Sequence, residues 1–216
     1  IMKKIAVLIS GSGSNLEAII NSCIENKING EIKCVISNMP DAYGLKRAKK
    51  YNLETRIINH KNFLNRQEFD LAIEEYLDKL NIDLIVLAGF MRILGKKITK
   101  KYFGKMINLH PSLLPLYPGL DTHKKVVLNK DKFHGISIHY VSPLLDSGPI
   151  IAQGIIKVKK DSIDILTNRI HKIEHSLLPE VIAHICNENI RLENNKVSFK
   201  NIKNLTNNMI INNYDL

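Results

Sequence analysis

The chain has 216 residues, of which 44% are hydrophobic, and this is enough to bury a sizeable core in a single domain. Its formal charge of +10 comes from lysines spread along the whole sequence, so we expect no nucleic-acid partner and a general preference for anionic small molecules. The three cysteines, at positions 23, 34 and 186, lie far apart without a CxxC pair, which argues against a disulfide framework and a zinc–thiolate site.

The start of the chain does not resemble a membrane-targeting segment. Lys3 and Lys4 are followed by only five apolar residues, too few for a signal-peptide core or a membrane span. No later segment reaches the length of a transmembrane helix. We therefore expect a cytoplasmic protein that does not contact membranes, and the sequence leaves a monomer and a homodimer both open.

Short apolar runs alternate with amphipathic stretches along most of the chain. The runs predict strands over 4–9, 33–37, 55–58, 84–88, 106–110, 135–141 and 150–158. The stretches predict helices over about 15–26, 44–51, 66–80, 123–129 and 162–187. This alternation indicates an α/β fold, a three-layer, mostly parallel twisted sheet with helices on both faces. The Asn- and Lys-rich residues 191–216 are expected to form a hairpin and a loose tail.

The loop after the first strand reads SGSGSN, over residues 10–15. A dinucleotide-binding GxGxxG motif would need a third glycine at Leu16 and an acidic residue after the second strand, where Ser37 and Asn38 stand instead. No Walker motif follows either. The loop is consistent with a phosphate site at a helix N-terminus, or with an ordinary cap by Ser14 or Asn15, and by itself favours neither.

The end of the fourth strand, Leu87–Leu94, is apolar and contains a glycine. Such a segment either lines a pocket for a flat heterocycle or contributes core residues at a strand-to-helix turn. Ligands of parallel α/β sheets bind beyond the carboxyl ends of the strands, so the residues that follow each strand are the candidates for function.

The fifth strand ends in Asn108 and His110, two residues apart and therefore on one face of the strand. A turn with three prolines follows, and a polar pair at the end of an apolar strand is costly unless it is bonded or used. Asp146 follows the sixth strand; beside His110 it would orient the imidazole and favour its protonated form. Asn108 would donate to a developing oxyanion. Without a GxSxG nucleophile, this set predicts acyl transfer to an amine with no covalent enzyme intermediate.

The segment from His171 to His175 matches the HxxEH pattern of inverted zinc proteases. The pattern is short and the α/β context argues against a protease, so we expect no metal site. The alternatives are solvent-facing histidines, or a Glu174 that reaches a polar group of a substrate.

Five segments together resemble the folate-dependent formyltransferases, from Lys3 to about residue 190: IAVLISGSGSNLEAII, LAGFMRIL, INLHPSLLPLYPG, GISIHYVSPLLDSGPIIAQ and IEH. The HPSLLP turn, with the Asn before it and the later Asp, is shared across that family. The GSGSN loop indicates the branch that acts on glycinamide ribonucleotide. The resemblance implies a Rossmann-like formyltransferase domain over 2–190, with a phosphate-binding half over about 2–100 and a folate-binding half over about 101–190.

The same resemblance implies an activity and a role for each site residue. The formyl group of 10-formyltetrahydrofolate would pass to the amine of N1-(5-phosphoribosyl)glycinamide in de novo purine synthesis, without a metal. Asn108 and His110 would stabilise the tetrahedral oxyanion, His110 would help to protonate the leaving N10, and Asp146 would hold His110 and assist proton transfer through water. The phosphate would bind at Gly13, Ser14 and Asn15, and the ribose hydroxyls at Glu174. The folate pocket would comprise Arg66, Met91, Arg92, Ile93, Leu94, Asn108, Ser142, Pro143, Leu144, Leu145 and Asp146.

Two residues depart from the family pattern: Asp121 stands where relatives often carry a histidine, and Ser147 where glycine is common. Two alternatives within the family are an enzyme acting on initiator methionyl-tRNA and a formyl-folate hydrolase. We expect these to carry an additional C-terminal or N-terminal domain, for which the length leaves no room. A non-catalytic nucleotide-binding module, from a different class, would use the first loop alone and would not need Asn108, His110 and Asp146.

Overall fold

The computed structural model describes residues 2–202 and 205–216. Its strands are β1 Lys3–Ile9, β2 Gly30–Ser37, β3 Thr55–Ile57, β4 Leu84–Leu87, β5 Met106–His110, β6 Phe133–Tyr140, β7 Ile150–Lys157, β8 Ile190–Glu193, β9 Lys196–Phe199, β10 Leu205–Thr206 and β11 Met209–Tyr214. Its helices are α1 Ser14–Ile24, α2 Tyr43–Lys50, α3 Arg66–Leu80, α4 Lys96–Lys101, α5 Thr122–Asn129 and α6 Ile163–Cys186, with a short 3-10 turn at His60–Asn62.

Nine strands form one sheet in the order β10-β11-β7-β6-β5-β4-β1-β2-β3. Pairing is parallel from β3 to β5 and between β7 and β11, whereas β6 runs antiparallel to both β5 and β7. The predicted α/β class with a mostly parallel sheet is confirmed. Because β1, β4 and β5 are parallel neighbours, their carboxyl ends meet at one edge near the middle of the sheet.

The two faces of the sheet carry separate cores because side chains alternate along each strand. On β1, Ile5, Val7 and Ile9 face a core that includes residues of α1 and α6. Ala6 and Leu8 face the opposite core, with residues of α3 and α4. Helices therefore cover both faces, and the continuous apolar runs of the central strands are buried, from Ile5 to Ile9 in β1 and over the whole of β4.

The C-terminal part departs from the expected loose tail. The hairpin is present as β8 and β9, but β11 pairs in parallel with β7, with Ile210 beside Ala152 and Tyr214 beside Ile156. Without β11, β7 would leave its backbone groups unpaired at a sheet edge, which explains why a polar MIINNY segment is ordered there. Residues 203 and 204 of the predicted tail lie outside the described residues.

Helix α4 is absent from the predicted elements because its sequence, KKITKK, is almost entirely polar. Only Ile98 and Thr99 are buried, and Ile98 packs in the core between the sheet and α3. Within the described ranges, none of the helices combines the length and apolar character that crossing a bilayer requires.

Candidate active site

A cavity of about 650 Å³ opens at the carboxyl ends of β1, β4 and β5. Every predicted site residue except Arg66 lines this cavity, namely Gly13, Ser14, Asn15, Met91, Arg92, Ile93, Leu94, Asn108, His110, Ser142, Pro143, Leu144, Leu145, Asp146 and Glu174. The cavity has the volume of a typical small-molecule site. Its wall joins residues from both halves of the chain.

The loop after β1 forms one end of the cavity, called here the loop end. Gly13 has a φ of +72°, and a Cβ there would overlap the backbone of Gly44, whose N–H donates to the Gly11 carbonyl at 2.9 Å. Helix α1 begins directly after Gly13 with no side-chain cap, so neither Ser14 nor Asn15 acts as the cap that the sequence left open. Uncapped N–H groups and the helix dipole make this end of the cavity suited to an anion.

Glu174, on α6, reaches across to the same loop. Its Oε2 accepts a hydrogen bond from Asn15 Nδ2 at 2.9 Å, and the residue is only 5% exposed. Burial raises the pKa of this carboxyl, while the Asn15 contact opposes that shift. Asn15 Oδ1 is buried and has no protein partner in the described part of the chain, so it is an acceptor available to a ligand.

The side chains of the HxxEH segment, residues 171–175, make different contacts. Glu174 faces the cavity loop, while the rings of His171 and His175 stack on each other with centroids 6.2 Å apart. His171 also lines the cavity. No group of three or more metal-binding side chains occurs within 2–202 and 205–216.

Asn108, His110 and Asp146 meet at the centre of the cavity. His110 Nδ1 lies 3.5 Å from Asp146 Oδ2, and both side chains are about 7% exposed. The Gly119 N–H donates to the same carboxylate oxygen at 2.8 Å. His110 Nε2 donates to the Tyr117 carbonyl at 2.8 Å; because a carbonyl only accepts, Nε2 carries a proton. The nitrogen that faces Asp146 is therefore Nδ1.

His139 is a member of this cluster that the sequence reasoning missed. Its Nδ1–H donates to the Tyr140 carbonyl at 2.9 Å, and its Nε2 accepts from Asn108 Nδ2 at 3.2 Å. Burial lowers the pKa of His139, more strongly than its contact with the Tyr140 carbonyl and the nearby Asp146 raise it. A neutral imidazole thus fixes the orientation of the Asn108 amide. The antiparallel register of β5 and β6 sets Asn108 opposite His139, and knowledge of this pairing would have identified His139 as part of the cluster.

Side chains of β6 and β7 hold the proline-rich turn after His110 by hydrogen bonds to its backbone. Ser137 Oγ donates to the Ser112 carbonyl at 2.8 Å and accepts from the Leu114 N–H at 3.0 Å. Gln153 Nε2 donates to the Leu114 carbonyl at 2.9 Å. The Leu114–Pro115 peptide bond is cis. These contacts fix the turn that carries the Tyr117 carbonyl over His110.

Two segments, 89–94 and 142–147, contribute the largely apolar end of the cavity. The first is tied to β1 because Ser10 Oγ accepts from the Met91 N–H at 2.7 Å. The second is closed on itself by Ser142 and Ser147, whose hydroxyls both donate to the Leu144 carbonyl. Leu144 is 73% exposed, so this end presents apolar surface to a ligand rather than to the protein core.

Arg66 and Asp121 lie at the margins of the site. Arg66, at the start of α3, is exposed and does not line the cavity; its charge lies near Asp70, which accepts from the Gly95 N–H at 2.7 Å at the end of the 89–94 segment. Asp121 lines the cavity, is exposed and has a φ of +61° at the start of α5, where its side chain makes no cap.

Comparisons with known proteins agree with this geometry. The formyl transferase family model matches residues 3–182. The chain is 45% identical to the phosphoribosylglycinamide formyltransferase of Haemophilus influenzae, over 90% of this chain and 92% of that protein, and 43% identical to that of Escherichia coli, over 88% and 91%. A solved structure of the Coxiella burnetii phosphoribosylglycinamide formyltransferase is 42% identical, covers 98% of this chain and all of its own, and has a TM-score of 0.91. The chain belongs to the formyl transferase family.

Proposed function

We propose that the chain transfers the formyl group of 10-formyltetrahydrofolate to the amine of N1-(5-phosphoribosyl)glycinamide, releasing tetrahydrofolate, in purine biosynthesis. One observation carries this proposal. A single cavity joins an uncapped helix start suited to a phosphate, an apolar end suited to a flat heterocycle, and the cluster of Asn108, His110 and Asp146 between them. The relatives' shared name supports the same choice of acceptor.

The ribonucleotide occupies the loop end of the cavity. Its phosphate accepts hydrogen bonds from the backbone N–H groups at Gly13, Ser14 and Asn15 and is favoured by the dipole of α1. Glu174 accepts from the ribose hydroxyls, which replaces part of the hydration that the carboxylate loses on burial. The amine of the glycinamide then points toward Asn108 and His110.

The formyl-folate occupies the apolar end, with its heterocycle between the 89–94 and 142–147 segments. The apolar side chains there, including Ile93 and Leu144, gain by losing contact with water, and backbone groups of the two segments offer donors and acceptors to the ring edge. Arg66 lies outside the cavity wall, where it interacts with the part of the folate that leaves the cavity. This arrangement brings N10 and its formyl group to the central cluster.

Formyl transfer proceeds by direct attack of the amine on the formyl carbon, since no nucleophilic side chain stands in the cluster. One N–H of the Asn108 amide is held by His139, and the other donates to the oxyanion that forms on the formyl oxygen. Because the Nε2 proton of His110 is held by the Tyr117 carbonyl, the second proton of the imidazolium, on Nδ1, is the one donated to the oxyanion and then to the leaving N10, which leaves His110 neutral. Asp146, beside Nδ1, stabilises the imidazolium and takes up the amine proton through water.

The test is a transformylation assay with the purified protein, in which formyl-methionyl-tRNA formation and formyl-folate hydrolysis are the controls. We expect formyl transfer to glycinamide ribonucleotide and little turnover in either control. His110→Ala and Asp146→Ala should each nearly abolish transfer. Unchanged turnover in both variants would refute the mechanism, and preference for either control substrate would refute the choice of acceptor.

A further inference from the structure

Tyr117 has a backbone conformation that its side chain does not favour. Its φ is +51°, a region in which a Cβ crowds the adjacent carbonyl and which glycine adopts without cost. Most other non-glycine residues with positive φ in the described chain are asparagines, and Tyr117 is the only aromatic residue among them. A conformation of this kind persists only where surrounding contacts enforce it. The contacts of the tyrosine side chain therefore indicate what holds Tyr117 in this conformation.

The phenol is held by both of its hydrogen-bonding capacities. Its O–H donates to Asp131 Oδ2 at 2.6 Å, and its oxygen accepts from Asn129 Nδ2 at 2.7 Å. Asn129 is the last residue of α5, and Asp131 follows two residues later. Neither of these two partners lines the cavity, so the phenol joins the turn to a part of the fold outside the site.

The backbone of the same residue contacts the cluster. The Tyr117 carbonyl accepts from His110 Nε2 at 2.8 Å, and two residues later the Gly119 N–H donates to Asp146. The tyrosine thus lies between an external anchor at Asn129 and Asp131 and the imidazole at the centre of the site.

We propose that Tyr117 is a positioning residue: its anchored phenol holds a strained backbone so that its carbonyl keeps the proton of His110 on Nε2 and directs Nδ1 toward Asp146. The proposal deepens the function proposed above, in which Nδ1 delivers the proton. A glycine would adopt the backbone angle more easily but would have no side chain to anchor the carbonyl. This explains why a tyrosine occupies a glycine-like conformation.

The experiment compares wild type with Tyr117→Phe, which removes only the hydroxyl. In the ligand-free protein, ¹⁵N NMR of His110 should show Nε2 protonated in all wild-type molecules, and a fraction of molecules without the Nε2 proton in the variant. We expect kcat to fall by about 10-fold, because small misplacements of a catalytic group cost up to roughly 10²-fold in rate. The KM values for both substrates should stay within about twofold, since neither the phenol nor its partners line the cavity.

Three further variants separate positioning from a general loss of structure. Asp131→Asn keeps an acceptor for the phenol and should retain a kcat close to that of wild type. Asp131→Ala removes the acceptor and should lower kcat as much as Tyr117→Phe does. The double variant of Tyr117→Phe and Asp131→Ala should be no worse than either change alone, because both break the same link. Tyr51→Phe is the matched control, since this phenol contacts Asn21 at 3.4 Å on the protein surface and should leave kcat unchanged.

Wild-type kcat together with full protonation of His110 Nε2 in Tyr117→Phe would overturn the proposal. Tyr117→Gly gives a second test if the phenylalanine variant is unstable, because it relieves the backbone strain and should still lower kcat. The NMR measurement needs no substrate. If wild type failed to formylate glycinamide ribonucleotide, the proposed function would be wrong. The comparison of His110 Nε2 protonation between wild type and Tyr117→Phe would still decide the role of Tyr117.

Discussion

Asp146→Asn removes one charge from the centre of the site while keeping the size of the side chain. The lost carboxylate oxygen lies 3.5 Å from His110 Nδ1, and the side chain is 7% exposed. At that distance, with an effective dielectric constant of about 20, Coulomb's law gives roughly 5 kcal/mol between unit charges. This is an upper bound for the lost stabilisation of the imidazolium, because the asparagine dipole and water replace part of it.

We therefore expect kcat/KM to fall by roughly 10²-fold to 10³-fold, equivalent to about 3–4 kcal/mol in the barrier. Steady-state formyl transfer to glycinamide ribonucleotide measures this, with the ribonucleotide KM expected to be unchanged because its anchors, Asn15 and Glu174, are retained. Asp78→Asn is the matched control, since Asp78 pairs with Lys101 away from the cavity. An Asp146→Asn rate within tenfold of wild type would refute the electrostatic role given to Asp146.

Four other substitutions test other parts of the site and fold. Asn15→Ala and Glu174→Ala should each raise the ribonucleotide KM by about 10-fold or more and leave the folate KM nearly constant; equal losses for both substrates would contradict the assignment of the ribonucleotide to the loop end. Gly13→Ala should lower stability in urea unfolding by more than about 1 kcal/mol and weaken ribonucleotide binding, because its φ is +72° and the added Cβ overlaps neighbouring backbone, whereas Gly11→Ala, with no protein atom within 4 Å of its Cβ, should leave stability unchanged. Burial lowers the pKa of His134 to about 3, below the usual 6.5, so the unfolded chain binds more protons and stability should fall as pH decreases from about 6.5 toward 3. His134→Asn should flatten the dependence of unfolding free energy on pH by up to about 1.4 kcal/mol per pH unit, and an unchanged slope would show that His134 is not the group involved.

Much of the candidate site could be predicted because its residues follow strands that are apolar and easily recognised. Asn108 and His110 end β5, and the rule that ligands bind beyond strand ends selected them. For Asp146, 36 residues after His110, the spacing leaves proximity to His110 open and the family resemblance implies it; in the structure the two side chains lie 3.5 Å apart. Their catalytic roles stay a prediction until the variants are measured.

His139 was missed for a physical reason. Alternating strands and helices favour parallel pairing, but β6 follows β5 as an antiparallel neighbour, and this register sets His139 opposite Asn108. The same limit applies to β11, whose polar sequence forms a strand only because β7 offers an unpaired edge. Neither pairing partner is visible in the local pattern of the segment itself.

The sequence by itself determined the α/β architecture, the glycine-dependent loop after β1 and the set of polar residues that end the strands, since each depends on local periodicity or on one residue's backbone freedom. Only the tertiary structure decided which nitrogen of His110 faces Asp146, how the Asn108 amide is oriented, and that Glu174 meets Asn15 across 159 residues of chain. Those features depend on hydrogen bonds between segments distant in sequence, and such bonds are fixed only when the sheet and its covering helices pack together.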